Sequence, residues 1–184
     1  VADVAIVWAR TEAGLRGFLV ERGTRGFETR DIKGKFSLRA SITSELFLSD
    51  VEVSEESLLP GVSGMKGPLS CLTQARYGIA WGALGAAMAC YDEVLRYAKE
   101  RVVQGGPLAA KQIAQQRLVF MLTEITKGQL LALRVGRLKD QGELHHSMVS
   151  MAKMNNVDIA LRIAREARDM LGANGIVDDY ASMR

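Results

Sequence analysis

The segment Leu72–Gln112, LTQARYGIAWGALGAAMACYDEVLRYAKERVVQGGPLAAKQ, decides the fold class of this chain. It has no proline before Pro107, and its small residues recur mostly at intervals of three and four, the spacing of one helical face. The pattern predicts one long helix from about residue 70 to Arg101, ended by the glycines before Pro107. Small side chains let another helix approach closely, so we interpret this face as tightly packed core. Its members are Ala75, Gly78, Gly82, Gly85, Ala86 and Ala89.

Two further helices are predicted downstream of the long one. The first spans about residues 108–138 and stops at Gln141-Gly142; its inner stripe consists of Ala114, Leu118, Met121, Leu122 and Ile125. The second spans about residues 147–171 and ends at LGANG, where a glycine can terminate a helix; its apolar face consists of Ala160, Ile163, Ala164, Ala167 and Leu171. Outer ion pairs at i,i+4 are expected for Arg162 with Glu166 and for Arg165 with Asp169.

The residues before the long helix have the pattern of β-strands. VADVAIVWAR (1–10) and LRGFLVERG (15–23) are apolar runs separated by a turn signal, whereas FETRDIKGKFSLRAS (27–41) is polar and rich in turn residues. Val51 and Val53 flank Glu52 with the period of two that a half-buried strand shows. We expect strands only between about residues 3 and 55, and none beyond residue 70. The fold class is therefore α+β, with a β domain at 1–62 and a helical bundle domain at 63–184.

Composition narrows the class of protein. The 184 residues are 48% hydrophobic and 24% charged, which is typical of a globular chain. The net charge of +3 is spread along the sequence, so no nucleic-acid surface is expected. No apolar run is long enough to cross a membrane. Cys71 and Cys90 lie about 28 Å apart on one helix, too far to pair, which favours a reducing compartment. Because the chain starts without Met, we expect a piece of a longer protein.

Few residues suggest chemistry on spacing alone. His145 and His146 are adjacent and expected to point apart in a solvated connection, so no metal site is predicted. GVSGMKG (61–67) lacks the order of a phosphate-binding P-loop and fits a hinge. Arg76 lies among apolar and small residues, where it either forms a structural salt bridge or serves an anion or thioester site. Arg101 ends the long helix, where it either complements the helix dipole or binds an anionic ligand.

Four segments in colinear order carry a resemblance that covers the whole chain: KGKFSLRAS (33–41), ARYGIAWG (75–82), RVVQGGPLAAKQ (101–112) and ARDMLGANGI (167–176). Together they resemble the acyl-CoA dehydrogenase family, and the first two are most similar to its members that oxidise glutaryl-CoA. The resemblance implies a partial β-barrel-like domain followed by long antiparallel helices of a four-helix bundle.

The resemblance also implies an activity. It indicates an FAD-dependent enzyme that converts glutaryl-CoA to crotonyl-CoA and CO2, passes electrons to electron-transfer flavoprotein and assembles as a homotetramer. The expected location is the cytoplasm, or the mitochondrial matrix in a eukaryote. The glutamate that acts as catalytic base is expected beyond Arg184, so no catalytic residue is assigned in this chain. Two alternatives stay open: a dehydrogenase of another short-chain acyl-CoA, or a non-catalytic helical scaffold.

Site residues follow from the same resemblance. The substrate-binding stretch at the start of the long helix is Leu69, Ser70, Cys71, Leu72, Thr73, Gln74, Ala75 and Arg76. The residues expected to contact FAD, from a neighbouring subunit, are Arg101, Gln112, Asp169, Met170, Leu171, Gly172 and Ala173. A guanidinium suits phosphate because it can donate two parallel hydrogen bonds. Two departures from the family pattern stand out: Gln104 replaces an aromatic residue, and Ala173 replaces a glycine, which is tolerated if its φ stays negative.

Overall fold

The computed structural model describes residues 2–183. The chain divides into two compact units, Val1–Cys71 and Leu72–Arg184. The first unit holds two antiparallel hairpins: β1 (Val4–Thr11) pairs with β2 (Gly14–Glu21), and β3 (Phe27–Asp31) pairs with β4 (Ser44–Leu48). These are separate two-stranded sheets, and the described residues form no closed barrel.

The second hairpin differs from the expected strand pattern. The strand predicted around Val51 and Val53 is absent, because Asp50 adopts a left-handed conformation (φ 50°) that turns the chain away just after β4. β4 pairs with β3, which lies in the segment 27–41 that the sequence pattern indicates is turn-rich. The connection between them is closed by the Lys35 ammonium group, which donates to the carbonyl oxygens of Leu38 and Ser41 and to the Thr43 hydroxyl.

Three long helices follow and confirm the predicted bundle: α1 (Lys66–Glu100), α2 (Gln112–Asp140) and α3 (His146–Met170). Their core residues show that neighbours run antiparallel. Val94 of α1 clusters with Leu118 near the start of α2 and Ile163 late in α3. Ala80 clusters with Val135 near the end of α2 and with residues at the start of α3. Helix α2 begins at residue 112, not 108, because Leu108–Ala110 forms a 3-10 turn and Lys111 is extended.

The small-residue face of α1 is not the one buried within this chain. Gly78, Gly82 and Gly85 are exposed, and a Cβ added at any of them would meet no atom within 4 Å. The buried face of α1 consists of Ala80, Leu84, Ala87, Cys90, Val94 and Ala98. The expectation that the small face is core is therefore wrong here. Two faces of this helix have helical spacing; the buried one includes Leu84 and Val94, whereas the other is made of glycine and alanine. Leu122, placed in the inner stripe of α2, is 50% exposed.

A third hairpin contradicts the expectation that no strand follows residue 70. Val102–Val103 (β5) pairs with Gly106–Pro107 (β6) across the two-residue turn Gln104-Gly105. Both turn residues have positive φ, 50° and 74°, as a type I′ turn requires. The sequence pattern predicts only a helix stop at these glycines, although Gly105 in such a turn also signals a tight hairpin.

Asn156 is the one fully buried polar residue in the part of the chain that the structure describes. Its Nδ2 donates to the carbonyl oxygens of Ala80 on α1 (3.1 Å) and Gly128 on α2 (3.3 Å). Its Oδ1 accepts from the Asn155 side chain at 3.0 Å. One amide thus ties all three helices together at a single level of the bundle.

The outer face of α3 pairs differently from the sequence expectation. Instead of pairing within α3, Glu166 and Asp169 both form ion pairs with Arg117 of α2, at 3.3 Å between Arg117 Nε and the Glu166 carboxylate. The Arg162 guanidinium lies over the Phe120 ring at 4.9 Å from its centroid. Interhelical partners replaced the i,i+4 pairs because α2 lies alongside this face. Both cysteines are free, and none of the helices in residues 2–183 has the length and hydropathy to cross a membrane.

Candidate functional site

A cavity of about 290 Å3 lies at the end of the bundle where α1 stops. The end of α1, β5 and the turn before α2 form one side. The end of α3 and the 3-10 turn Gly172–Ile176 form the other. The lining residues are Tyr97, Arg101, Val103, Leu108, Met170, Leu171, Gly172, Ala173 and Asn174. Residues far apart in sequence are therefore brought together by the antiparallel order of the helices.

Arg101 is the one positively charged residue among those that line this cavity. Its backbone N–H donates to the Tyr97 carbonyl at 2.8 Å, and its own carbonyl accepts from the Leu108 N–H at 2.7 Å. The backbone is thus fixed between the helix and the hairpin. The side chain is exposed and, among residues 2–183, has no ion pair or hydrogen bond. An exposed guanidinium without an internal partner can bind an anion without first breaking another bond.

The opposite wall is backbone-rich. Gly172 has a φ of 60°, a conformation that glycine adopts without the cost that a Cβ brings. Ala173 is not among the residues with positive φ, so its replacement of the family's glycine is compatible with this backbone. Tyr97 Oη donates to the Leu171 carbonyl oxygen at 3.3 Å and accepts from Asn174 Nδ2 at 3.3 Å. The wall is thereby connected to α1.

The structure sorts the predicted cofactor residues into two groups. Those that line the cavity are Arg101, Met170, Leu171, Gly172 and Ala173. Gln112 is the exposed first residue of α2, and Asp169 is paired with Arg117; neither lines the cavity. Sequence reasoning missed Tyr97, Val103, Leu108 and Asn174. Tyr97 could have been found from its spacing, because it lies one helical turn before Arg101 on the same face.

The predicted substrate-binding residues all lie in the early turns of α1. Ser70 Oγ donates to the Gly67 carbonyl at 2.7 Å, and Gln74 Oε1 accepts from Lys139 Nζ at 2.7 Å. Arg76 is half-buried and forms no ion pair within residues 2–183, so the salt-bridge interpretation finds no partner there. Thr73 is half-buried like Arg76, and the other predicted substrate-binding residues are exposed: Leu69, Ser70, Cys71, Leu72, Gln74 and Ala75.

The other cavities carry different charges: one of about 560 Å3 has Arg25 together with Asp50 and Glu52, and one of about 310 Å3 includes Arg22. A cavity of about 490 Å3 in the first unit is lined by Glu21, Glu52 and Glu56, which would repel phosphate. No group of three metal-binding side chains occurs within residues 2–183. His145 accepts at Nδ1 from the Ser147 N–H at 3.4 Å and so caps α3. The expectation that the two histidines point apart is wrong, since their ring centroids are 4.2 Å apart.

Comparison with known proteins places this geometry in a family. The family described as "Acyl-CoA dehydrogenase, C-terminal domain" matches residues 63–184. Glutaryl-CoA dehydrogenase of Desulfococcus multivorans is 35% identical over 192 residues, covering 100% of this chain and 49% of the relative. The mitochondrial short-chain specific acyl-CoA dehydrogenase of Homo sapiens is 32% identical over 190 residues, covering 100% and 46%.

The backbone is similar as well. A crystal structure of a glutaryl-CoA dehydrogenase from Mycobacterium smegmatis in complex with FADH2 superposes with a TM-score of 0.96 at 46% identity, covering 100% of this chain and 47% of that one. The chain thus spans about half the length of the relatives it matches. The family match covers the three long helices and the cavity wall, and the backbone superposes on that of a glutaryl-CoA dehydrogenase. This chain therefore belongs to the acyl-CoA dehydrogenase family.

Proposed function

We propose that the whole protein is an FAD-dependent dehydrogenase that oxidises and decarboxylates glutaryl-CoA, giving crotonyl-CoA and CO2. The observation that carries the proposal is the position of Arg101, whose unpaired guanidinium lines a cavity together with the backbone at Gly172. The chain is also similar over its full length to a glutaryl-CoA dehydrogenase. Human short-chain specific acyl-CoA dehydrogenase is nearly as similar, so oxidation of another short-chain acyl-CoA is the second candidate.

The residues present fit an FAD pyrophosphate. The cavity is too small for a whole dinucleotide but suits its phosphate region, because one wall carries a cation and the other is glycine backbone that permits close approach. Arg101 would hold the phosphates, and Leu171 to Ala173 would support them from the other side. FAD, when bound, would supply the acceptor for the substrate's β-hydride. In this proposal the chain's own residues bind and orient the cofactor and the substrate.

The early turns of α1 are proposed to line the acyl-CoA site, with Arg76 near the reacting thioester. Arg76 and Arg101 are 25 residues apart, about 38 Å along an ideal helix. One helix would therefore serve two ligands. The family resemblance further supports a homotetramer whose FAD sites lie between subunits, with electron-transfer flavoprotein as electron acceptor. The exposed face with Gly78, Gly82 and Gly85 is compatible with close packing against another copy.

The substrate is tested by comparing glutaryl-CoA with butyryl-CoA on the purified whole protein, with an artificial electron acceptor. We expect a kcat/KM that is larger for glutaryl-CoA and release of one CO2 for each crotonyl-CoA. Preference for butyryl-CoA without CO2 release would favour the second candidate. A protein that purifies colourless and takes up no FAD would instead support the non-catalytic scaffold. Light scattering reports the oligomeric state; a monomer with stoichiometric FAD would contradict intersubunit sites.

A further inference from the structure

A run of residues after α3 is fastened to α1 by two polar side chains. We name Leu171–Met183 the C-terminal strap. Glu93 Oε1 accepts from the Ala181 N–H at 2.7 Å, and its Oε2 accepts from the Ser182 N–H at 3.0 Å and the Ser182 hydroxyl at 2.7 Å. A half-buried carboxylate that accepts three short hydrogen bonds makes a strong attachment, because its bonds are charge-assisted.

Tyr97 makes the second attachment, one helical turn further along the same face of α1. Its hydroxyl bonds the Leu171 carbonyl and the Asn174 amide, both at 3.3 Å. Its ring meets the Tyr180 ring edge-on, with centroids 6.3 Å apart and an interplanar angle of 88°. Tyr97 thus holds the beginning of the strap and contacts Tyr180, which directly precedes the end that Glu93 holds.

These attachments have a consequence for the cavity beside Arg101. The first four residues of the strap, Leu171 to Asn174, form its backbone wall. A Cβ added at Gly172 would meet no atom within 4 Å, so no neighbouring side chain packs over this point of the wall. Tyr97 bonds the wall directly at Leu171 and Asn174. Glu93 acts further along the strap, where its charge-assisted bonds hold Ala181 and Ser182.

We propose that Glu93 and Tyr97 are positioning residues that keep the Leu171–Asn174 wall in place for the phosphate groups bound by Arg101. The proposal rests on the proposed function and names residues outside those expected to contact the cofactor. Glu93 does not line the cavity; Tyr97 does, but its hydroxyl is already bonded to Leu171 and Asn174 of the strap. Each acts through the strap, so loss of either should weaken phosphate binding in a protein that remains folded.

The test uses apoprotein prepared from the whole protein and titrated with FAD and, separately, with ADP. Tyr97→Phe removes one hydroxyl and keeps the ring; Glu93→Gln keeps the shape and removes the charge. Tyr91→Phe is the matched control, because Tyr91 is half-buried on the same helix and its hydroxyl has no hydrogen bond among the described residues. We expect a three- to tenfold higher Kd for both ligands in the first two variants and no change in the control.

Four outcomes separate the possibilities. A raised Kd for FAD and ADP, measured well below the melting temperature, supports the positioning role. A lower melting temperature with unchanged Kd values would overturn it and leave Glu93 and Tyr97 as purely structural. Arg101→Ala serves as reference: if it weakens FAD binding while Tyr97→Phe and Glu93→Gln do not, the positioning role fails and the proposed function stands. If Arg101→Ala also leaves both Kd values unchanged, the phosphate site itself is wrong.

Discussion

Replacing Asn156 by alanine tests whether one buried amide holds the three helices in register. Asn156 is completely buried, and its Nδ2 donates to carbonyl oxygens on α1 and α2. Each net hydrogen bond contributes about 0.5–1.5 kcal/mol, so two contribute about 1–3 kcal/mol. Truncation also leaves a gap in the core, which raises the expected loss of unfolding free energy to about 2–4 kcal/mol.

The assay is the melting temperature of the whole protein by circular dichroism at fixed protein and FAD concentrations. For domains of this size, 1 kcal/mol corresponds to roughly 2–4 °C, so Asn156→Ala should lower the melting temperature by about 5–15 °C. Gln116→Ala is the control, because Gln116 is exposed on α2 and surface changes usually cost under about 0.5 kcal/mol. A melting temperature within about 1 °C of the control would refute the reasoning, since the amide would then contribute no stability.

Three further predictions concern separate features. Burial raises the pKa of the Cys90 thiol; the charge of Glu93 raises it further, and a hydrogen bond with Ser182 lowers it. Because the thiolate is disfavoured in the fold, iodoacetamide at pH 8 should label exposed Cys71 and spare Cys90 until the protein unfolds, as peptide mass mapping will show. Gln104→Gly should stabilise the protein by about 0.5–1 kcal/mol, because glycine adopts the positive φ at this position without the steric strain that a Cβ causes. An unchanged or lower melting temperature would contradict this. Arg76→Gln should lower kcat with glutaryl-CoA roughly a hundredfold with little change in melting temperature; an early melt with near-normal turnover would restore the salt-bridge interpretation.

Patterns with strong periodicity predicted the fold well. The α+β class and three long helices followed from the change of period near Pro60, and α1 ends at Glu100, one residue from its predicted end. The β5–β6 hairpin was missed because two-residue strands have no periodicity of their own. The buried face of α1 was misassigned because small residues and larger apolar residues both recur with helical spacing, and only packing decides between them.

The candidate site shows the same division. Arg101 and the segment from Met170 to Ala173 were predicted from family resemblance, and the structure brings them to one cavity. Tyr97 and Asn174 were missed because their importance comes from a contact across 77 positions of sequence, which local patterns do not reveal. Asp169 stays a predicted FAD contact; its carboxylate is paired with Arg117 on the neighbouring helix and does not line this cavity.

The central claim is that Arg101 binds the phosphates of FAD and does more than complement the dipole of α1. The most direct measurement is the Kd for FAD of apoprotein carrying Arg101→Ala or Arg101→Lys, with Arg134→Ala as the exposed-arginine control. A hydrogen bond to a charged group contributes about 1.5–3 kcal/mol, so Arg101→Ala should raise the Kd about 10- to 150-fold. Arg101→Lys keeps the charge at the helix end but loses the planar pair of donors, so it should raise the Kd by an intermediate factor. If both variants bind FAD as tightly as the Arg134→Ala control, Arg101 is only a helix-terminal cation and the proposed cofactor site is wrong.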